Sequence, residues 1–293
     1  MTTSAELPAS VLAGVLRYTA FSADPEGGNP AGIVLDAAHL DEALMLATAA
    51  AVGYSETAFV TSRDDHERRF TLRYFSPLAE VDFCGHATIA TAVALAERLG
   101  AGPLTFDTPA GEIPVATTAD ANGLVRATLT SVPTHSRPTP DADVDAALAT
   151  LRWRRSDLDP ALPPHIAFGG ENHLVLAAVT RARLADLDYD FDALAALMRD
   201  RDWTTVHLVW REDDTTYHAR DPFPVGGVVE DAATGAAAAA FGGYLRTLNL
   251  LPATGALTLH QGEDMGRPSH LTVTATLADP RVQVSGTAVP ISA

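Results

Sequence analysis

The sequence predicts an α+β chain of two similar halves, each a curved β-sheet wrapped about one central α-helix. Three observations predict it. Two alanine-rich apolar segments have the length of buried helices, a constant offset overlays them, and short β-like runs surround each.

The first helix is expected over residues 86–99 (HATIATAVALAERL), stopping at Gly100, and the second over residues 234–249 (TGAAAAAFGGYLRTLN). Both are apolar nearly all round, which in a short helix of a globular protein means burial on every side. Glu80 and Glu230, Gly85 and Gly235, and Leu95 and Leu245 are each 150 positions apart, and the same offset sets Cys84 on Thr234. An arginine–aromatic–proline stretch precedes each helix: Arg73, Phe75 and Pro77, then Arg220, Phe223 and Pro224. These matches suggest a duplication. Strands are expected near residues 32–35, 58–61, 70–74, 124–129, 174–179, 206–210 and 271–275. Residues 133–145, rich in Pro, Thr and Asp, read as the linker, and residues 153–164 fit no element. The halves are therefore drawn as residues 1–132 and 133–293, with a C-terminal tail that can cross back to the first.

Composition limits the function. The chain has 293 residues, 47% of them hydrophobic, and 37 acidic against 20 basic residues give a net charge of −17. Two domains suit that length at roughly 100–200 residues each. An anionic surface repels phosphate backbones and anionic lipid, so neither nucleic acid nor a membrane is the expected partner. No apolar run reaches the roughly 18 residues that span a bilayer. Residues 1–14 lack the order of a secretory signal, and a cytoplasmic protein is expected. Cys84 is the sole cysteine, which excludes an intramolecular disulfide and a multi-cysteine zinc cluster.

Several chemistries lack their motifs. There is no phosphate loop of the G-x-x-x-x-G-K-[ST] type, no strand-linked G-x-G-x-x-G and no H-E-x-x-H, and the ten histidines are scattered. Gly53-Tyr54-Ser55-Glu56-Thr57 resembles a serine nucleophile elbow but ends in Thr instead of Gly. No metal or cofactor is therefore expected. The polar residues that remain gather at the two helix starts: Asp82-Phe83-Cys84-Gly85-His86, and Glu230-Asp231-Ala232-Ala233-Thr234-Gly235. Unpaired N–H groups at a helix start can cradle a carboxylate, and glycine there admits close approach. The competing reading, favoured on spacing alone, is ordinary capping by Asp and Thr.

Four motifs, taken together and in order, resemble the PhzF family of phenazine-biosynthesis-like isomerases, relatives of diaminopimelate epimerase. They are Gly28-Asn29-Pro30-Ala31, Ser55-Glu56-Thr57-Ala58-Phe59, Gly85-His86-Ala87-Thr88, and Glu230-Asp231-Ala232-Ala233-Thr234-Gly235. A fifth, weaker match runs from Gln261 to Ser269 (QGEDMGRPS), and together they span almost the whole chain. The resemblance implies a diaminopimelate epimerase-like fold with the site in the cleft between the domains, a homodimer and no cofactor. It implies Glu56 as general acid/base, His86 and Asp231 as further catalytic residues, and Asn29, Gly85, Thr234, Gly235 and Ala236 as substrate-binding positions. The resemblance further implies a small carboxylate-bearing metabolite as substrate, in secondary, antibiotic-type metabolism.

The departures shape the alternatives. Ala236 stands where relatives commonly carry Ser or Thr, which removes one substrate hydrogen bond and keeps open a non-catalytic small-molecule-binding protein. Ala87 and Ala232 stand where proline is common. The rival enzyme is an amino-acid epimerase or racemase using Glu56 and a second acid; Cys84-Gly85-His86 also resembles the C-G motif of two-thiol racemases. Thr234 at the offset position disfavours the two-thiol reaction, because one thiol cannot serve both faces of a stereocentre. A lone Cys with apolar neighbours is ordinarily packed in a core.

Overall fold

The computed structural model describes residues 12–292; the other residues, including most of the stretch read for a signal, lie outside the described residues. The chain divides into two compact units. The first runs to Leu129 and includes the chain from Ser285 onward, and the second is Thr130–Val284.

In the first unit the strands are β1 (Leu16–Ala20), β2 (Asn29–Val34), β3 (Glu56–Asp64), β4 (Arg69–Phe75), β5 (Glu80–Val81), β6 (Pro103–Thr108), β7 (Gly111–Ala119) and β8 (Val125–Thr130), joined by part of the last strand, β17 (Val282–Pro290). Pairing runs β17–β1–β2–β3–β4–β6–β7–β8 and returns from β8 to β17, a closed ring of eight strands with β5 a spur on β4. Closure removes the open edge that would otherwise invite pairing with another chain. The helix α2 (Gly85–Leu99) packs against β1, β2, β3 and β7. Every residue from His86 to Ala96 is buried, as its all-round apolar sequence requires. Gly100, at φ 82°, ends it. Burying a residue such as Ile89 or Leu95 contributes about 1.5–3 kcal/mol. A second helix, α1 (Glu42–Val52), was not foreseen; Asp41 accepts from the Leu44 N–H at its start and left-handed Gly53 closes it.

The second unit repeats the plan. Its strands are β9 (His135–Pro138), β10 (His165–Phe168), β11 (Asn172–Ala177), β12 (Thr205–Arg211), β13 (Thr216–Pro222), β14 (Glu230–Asp231), β15 (Ala256–Gln261) and β16 (Ser269–Ala275). Antiparallel β10–β11, parallel β11–β12, antiparallel β12–β13, the β14 spur, parallel β13–β15 and antiparallel β15–β16 reproduce, in order, the pairings from β1 to β7. The helix α6 (Gly235–Thr247) touches β9, β10, β11 and β16, so the first and last strands of the sheet meet the same helix and the sheet curls around it. Residues from Ala237 to Leu245 are all buried. Gly243 is required: a Cβ there would sit 2.4 Å from Thr134 Oγ1.

The linker reading of residues 133–145 is corrected. They form β9 and the start of α3 (Asp141–Leu151), with Pro140 at the N-cap and Asp141 and Asp143 favourably placed in the first turn. The unassigned stretch holds a 3₁₀ turn, Arg155–Asp157. Two further helices, α4 (Arg181–Ala185) and α5 (Phe191–Arg201), join α3 against the sheet, where Leu148, Leu151, Leu184, Leu194, Met198 and Trp203 form one apolar cluster. Among the described residues, no helix is long and apolar enough to cross a membrane.

Candidate active site

In each unit an arginine on the strand that pairs with the spur, β4 or β13, fixes the spur that leads into the central helix. Arg73 grips Glu80 through Nε and Nη2, both at 2.6 Å, and Arg220 grips Glu230 at 3.0 and 2.5 Å. The first pair is about a quarter exposed; the second is almost wholly buried, and Arg220 also donates to the Ala185 carbonyl. Both glutamates belong to the 150-residue repeat, so the repeat carries an ion pair as well as a helix.

In the first unit the spur delivers Cys84 to the N-cap of α2 and His86 to its first turn. Glu56, the first residue of β3, meets them. Its Oε2 accepts from Cys84 Sγ at 3.6 Å and lies 3.4 Å from His86 Nε2. The sulfur is 3.4 Å from His86 Nδ1 and 3.8 Å from Nε2, and Ser55 Oγ is 3.4 Å from Nε2. The side chains of Glu56 and His86 are only 16% and 6% exposed. Burial pushes the Glu56 carboxyl above the usual range, against hydrogen bonds from Ser55 and Cys84 that pull it down. Cys84 is therefore not an ordinary core cysteine: it is buried, but its sulfur faces a carboxylate and an imidazole.

Asn29 opens β2, buried, after Gly28 at φ 65°; a Cβ on Gly28 would strike the Ala20 carbonyl and Thr19 Oγ1 at 2.4 Å. Ala31 is the register partner of Glu56 on the parallel strand, so alternation puts Asn29 and Glu56 on the same sheet face.

In the second unit Asp231, Thr234, Gly235 and Ala236 are brought together at the start of α6, all half-buried. Thr234 Oγ1 donates to Asp231 Oδ2 at 2.7 Å. Gln261, fully buried at the end of β15, ties the turn shut. Its Oε1 accepts from the Thr234 N–H at 3.0 Å, and its Nε2 donates to the Asp231 carbonyl at 2.9 Å and to Thr234 Oγ1 at 3.0 Å. Gln261 was visible in the sequence only as the first letter of the weakest motif. Capping does not explain either helix start: the N-cap residues, Cys84 and Thr234, make no side-chain cap bond.

A histidine pair in the same unit also escaped the sequence. His173 Nδ1 contacts Thr205 Oγ1 at 2.8 Å, Thr205 donates to Asp221 Oδ1 at 2.9 Å, and His207 Nδ1 lies 2.9 Å from Asp221 Oδ2, all buried. Asp221 is the register partner of Asp231, so this network underlies the spur that carries Asp231. Among the described residues, the group whose ligand atoms lie close enough to hold a metal, within 4.8 Å of one another, is Glu56, Cys84 and His86. Their separation in the sequence, 28 residues between Glu56 and Cys84, hid the cluster.

A duplicated α+β unit, with one central helix in a curled sheet, is the fold class of the solved structures the chain resembles. A phenazine biosynthesis protein of the PhzF family from Bacillus anthracis matches with a TM-score of 0.84 at 27% identity, covering 95% of this chain and 96% of that one. A probable proline racemase from Agrobacterium radiobacter shares the fold, with a TM-score of 0.63 at 12% identity over 94% of this chain and 90% of that one. The family model for phenazine biosynthesis-like protein, PhzC-PhzF, matches residues 18–293, and the chain belongs to this family. Its relatives carry isomerase names. "Uncharacterized isomerase YddE" of Escherichia coli is 33% identical, covering 94% of this chain and 95% of its own. The trans-2,3-dihydro-3-hydroxyanthranilate isomerase of Pseudomonas aeruginosa is 28% identical, covering 91% and 93%.

Proposed function

We propose that the chain is a cofactor-independent isomerase that moves a proton, and with it a double bond, within a small carboxylate-bearing metabolite. Glu56 is the group that carries the proton. The observation behind this reading is the Glu56 carboxyl itself: nearly buried, raised above its ordinary range, and held between Cys84 Sγ and His86 Nε2. A carboxyl group shifted toward neutrality can hold a proton, give it to one carbon and take it from another. His86, whose Nε2 lies 3.4 Å from Glu56 Oε2, is a further catalytic residue, and Asn29 and Gly85 bind substrate. Asp231, whose Oδ2 is held by Thr234, is the second polar catalytic group, with Thr234, Gly235 and Ala236 as substrate-binding positions.

The name of the Pseudomonas relative supports a cyclic, carboxylate-bearing dienoic substrate, and the family's description as phenazine biosynthesis-like supports a role in secondary metabolism. A cytoplasmic homodimer is proposed on the family resemblance alone.

The racemase reading gains from Cys84, whose sulfur touches Glu56. It loses from Thr234, which occupies the same N-cap position on α6 that Cys84 occupies on α2. Proton nuclear magnetic resonance in D₂O tests the choice, with trans-2,3-dihydro-3-hydroxyanthranilate and a panel of L-amino acids as probes. Deuterium at a new carbon of the diene acid supports the isomerase. Deuterium at Cα of an amino acid with loss of optical purity overturns it in favour of racemisation.

A further inference from the structure

The three side chains around Glu56 have the spacing of a metal site. A tetrahedral zinc ion with bonds of about 2.3 Å to sulfur, 2.0–2.1 Å to imidazole nitrogen and 2.0 Å to a carboxylate oxygen has edges of roughly 3.5–3.6 Å (S···N), 3.5 Å (S···O) and 3.3 Å (N···O). The corresponding distances here are 3.8 Å from Cys84 Sγ to His86 Nε2, 3.6 Å from Sγ to Glu56 Oε2, and 3.4 Å from Nε2 to Oε2. Each edge is within about 0.3 Å of the tetrahedral value, and because Cys84 Sγ lies nearer His86 Nδ1, at 3.4 Å, the imidazole must turn to aim its Nε2 lone pair at the cation.

We propose that Glu56, Cys84 and His86 form a binding site for a borderline-soft divalent cation of the zinc class, and that its occupancy reversibly switches off proton transfer. The donor set selects the ion. One thiolate, one imidazole and one carboxylate suit zinc and its neighbours, whereas magnesium and calcium require six or more oxygens and find one. Three protein ligands leave a fourth position for water or a substrate carboxylate, the arrangement of an exchangeable site rather than a closed structural one. Charge balance agrees: the carboxylate and the thiolate together neutralise a dication in a nearly buried place. The start of α2 brings the positive end of a helix, roughly half an elementary charge, which opposes the cation but stabilises the thiolate. Two full negative charges outweigh it.

Binding forms metal–sulfur, metal–nitrogen and metal–oxygen bonds. The Cys84 S–H proton, and the Glu56 proton where present, pass to buffer, and nothing is oxidised or reduced. Bound to the cation, the Glu56 carboxylate shares its charge with the metal and loses most of its basicity, so it no longer takes up a proton near neutral pH. This inhibitory half rests on the function proposed above; the binding half stands on geometry alone.

Cobalt(II) tests the binding half directly, because Cys84 is the sole cysteine and any thiolate-to-cobalt charge-transfer band must come from it. Titrating Co²⁺ into the chelator-treated full-length protein should give that near-ultraviolet band with the strong visible bands of a four-coordinate ion, at one equivalent. Zn²⁺ should displace it. Cys84→Ser should abolish the band. His86→Gln and Glu56→Gln should keep the thiol yet weaken Co²⁺ binding by about tenfold or more. Absence of the band, or affinity unmoved in both His86→Gln and Glu56→Gln, overturns the site and leaves the isomerase reading intact. A zinc-loaded protein should be inactive and regain full turnover with a chelator. A site that binds zinc while turnover continues at the metal-free rate overturns the inhibition and, with it, the role given to Glu56.

Discussion

Gln261→Leu removes a side chain that holds one turn together and touches no other part of the proposed chemistry. The replacement is apolar and of similar bulk, so it leaves little cavity. It withdraws three hydrogen bonds, and the Thr234 N–H and the Asp231 carbonyl lose the partners they have in Gln261. An orphaned buried polar group costs about 1–3 kcal/mol. Two such groups, discounted because Asp231 and Thr234 are only half-buried, give an expected loss of about 2–4 kcal/mol in the second unit. That unit can be followed by itself, because all three tryptophans, Trp153, Trp203 and Trp210, lie in it. Urea unfolding read by tryptophan fluorescence should therefore show the loss. Turnover should fall in the same variant, with KM raised, as Asp231 and Thr234 lose their fixed geometry while Glu56 is untouched. A variant within about 0.5 kcal/mol of wild type, the range of an inconsequential surface change, would refute the reasoning.

Three further outcomes follow from the same geometry. Arg220→Leu should destabilise the second unit by about 3–5 kcal/mol, because it strands Glu230 in a buried place, whereas Arg73→Leu beside the more exposed Glu80 should cost about 1 kcal/mol or less; equal costs in urea unfolding would contradict this. Burial pushes His173 down to about 3, below its unfolded value of about 6.5, so its neutral form is the folded one. Its contribution is complete above pH 6.5 and is lost as pH falls toward 3; His173→Gln should lower the acid-side slope of stability by up to about 1.4 kcal/mol per pH unit, and an unchanged slope would count against it. Cys84→Ala should cost about 1 kcal/mol and keep most of kcat, whereas loss of turnover in a folded variant would make the thiol an essential acid or base.

Much of the fold was legible because its signals are local. The two central helices announced themselves by apolar character on every face, and the structure ends the first at Gly100 as expected. The repeat showed through Glu80 and Glu230, whose ion pairs explain their matching positions. The helix α1 has no sequence signal of its own because its alanines look alike on all faces, and residues 133–145 resemble a linker because Pro and Asp mark loops as readily as helix starts. Half the candidate site was legible through the motifs around Glu56, His86 and Asp231. The contacts were not. Cys84 Sγ meets Glu56, and Gln261 meets Thr234, only after a strand from elsewhere in the chain is laid beside a helix start. The buried His173–Thr205–Asp221–His207 chain has no local signature either, since its members come from three strands.

The most direct test of the central claim is deuterium transfer by Glu56→Gln. The amide keeps the shape of the carboxyl group and cannot cycle a proton, and loss of a general acid/base lowers the rate by roughly 10²–10⁴-fold. With trans-2,3-dihydro-3-hydroxyanthranilate in D₂O, metal-free wild-type protein should place solvent deuterium on a single carbon at its turnover rate. Folded Glu56→Gln protein should bind the same acid and place none above background. Deuterium incorporation by Glu56→Gln at the wild-type rate would contradict the account.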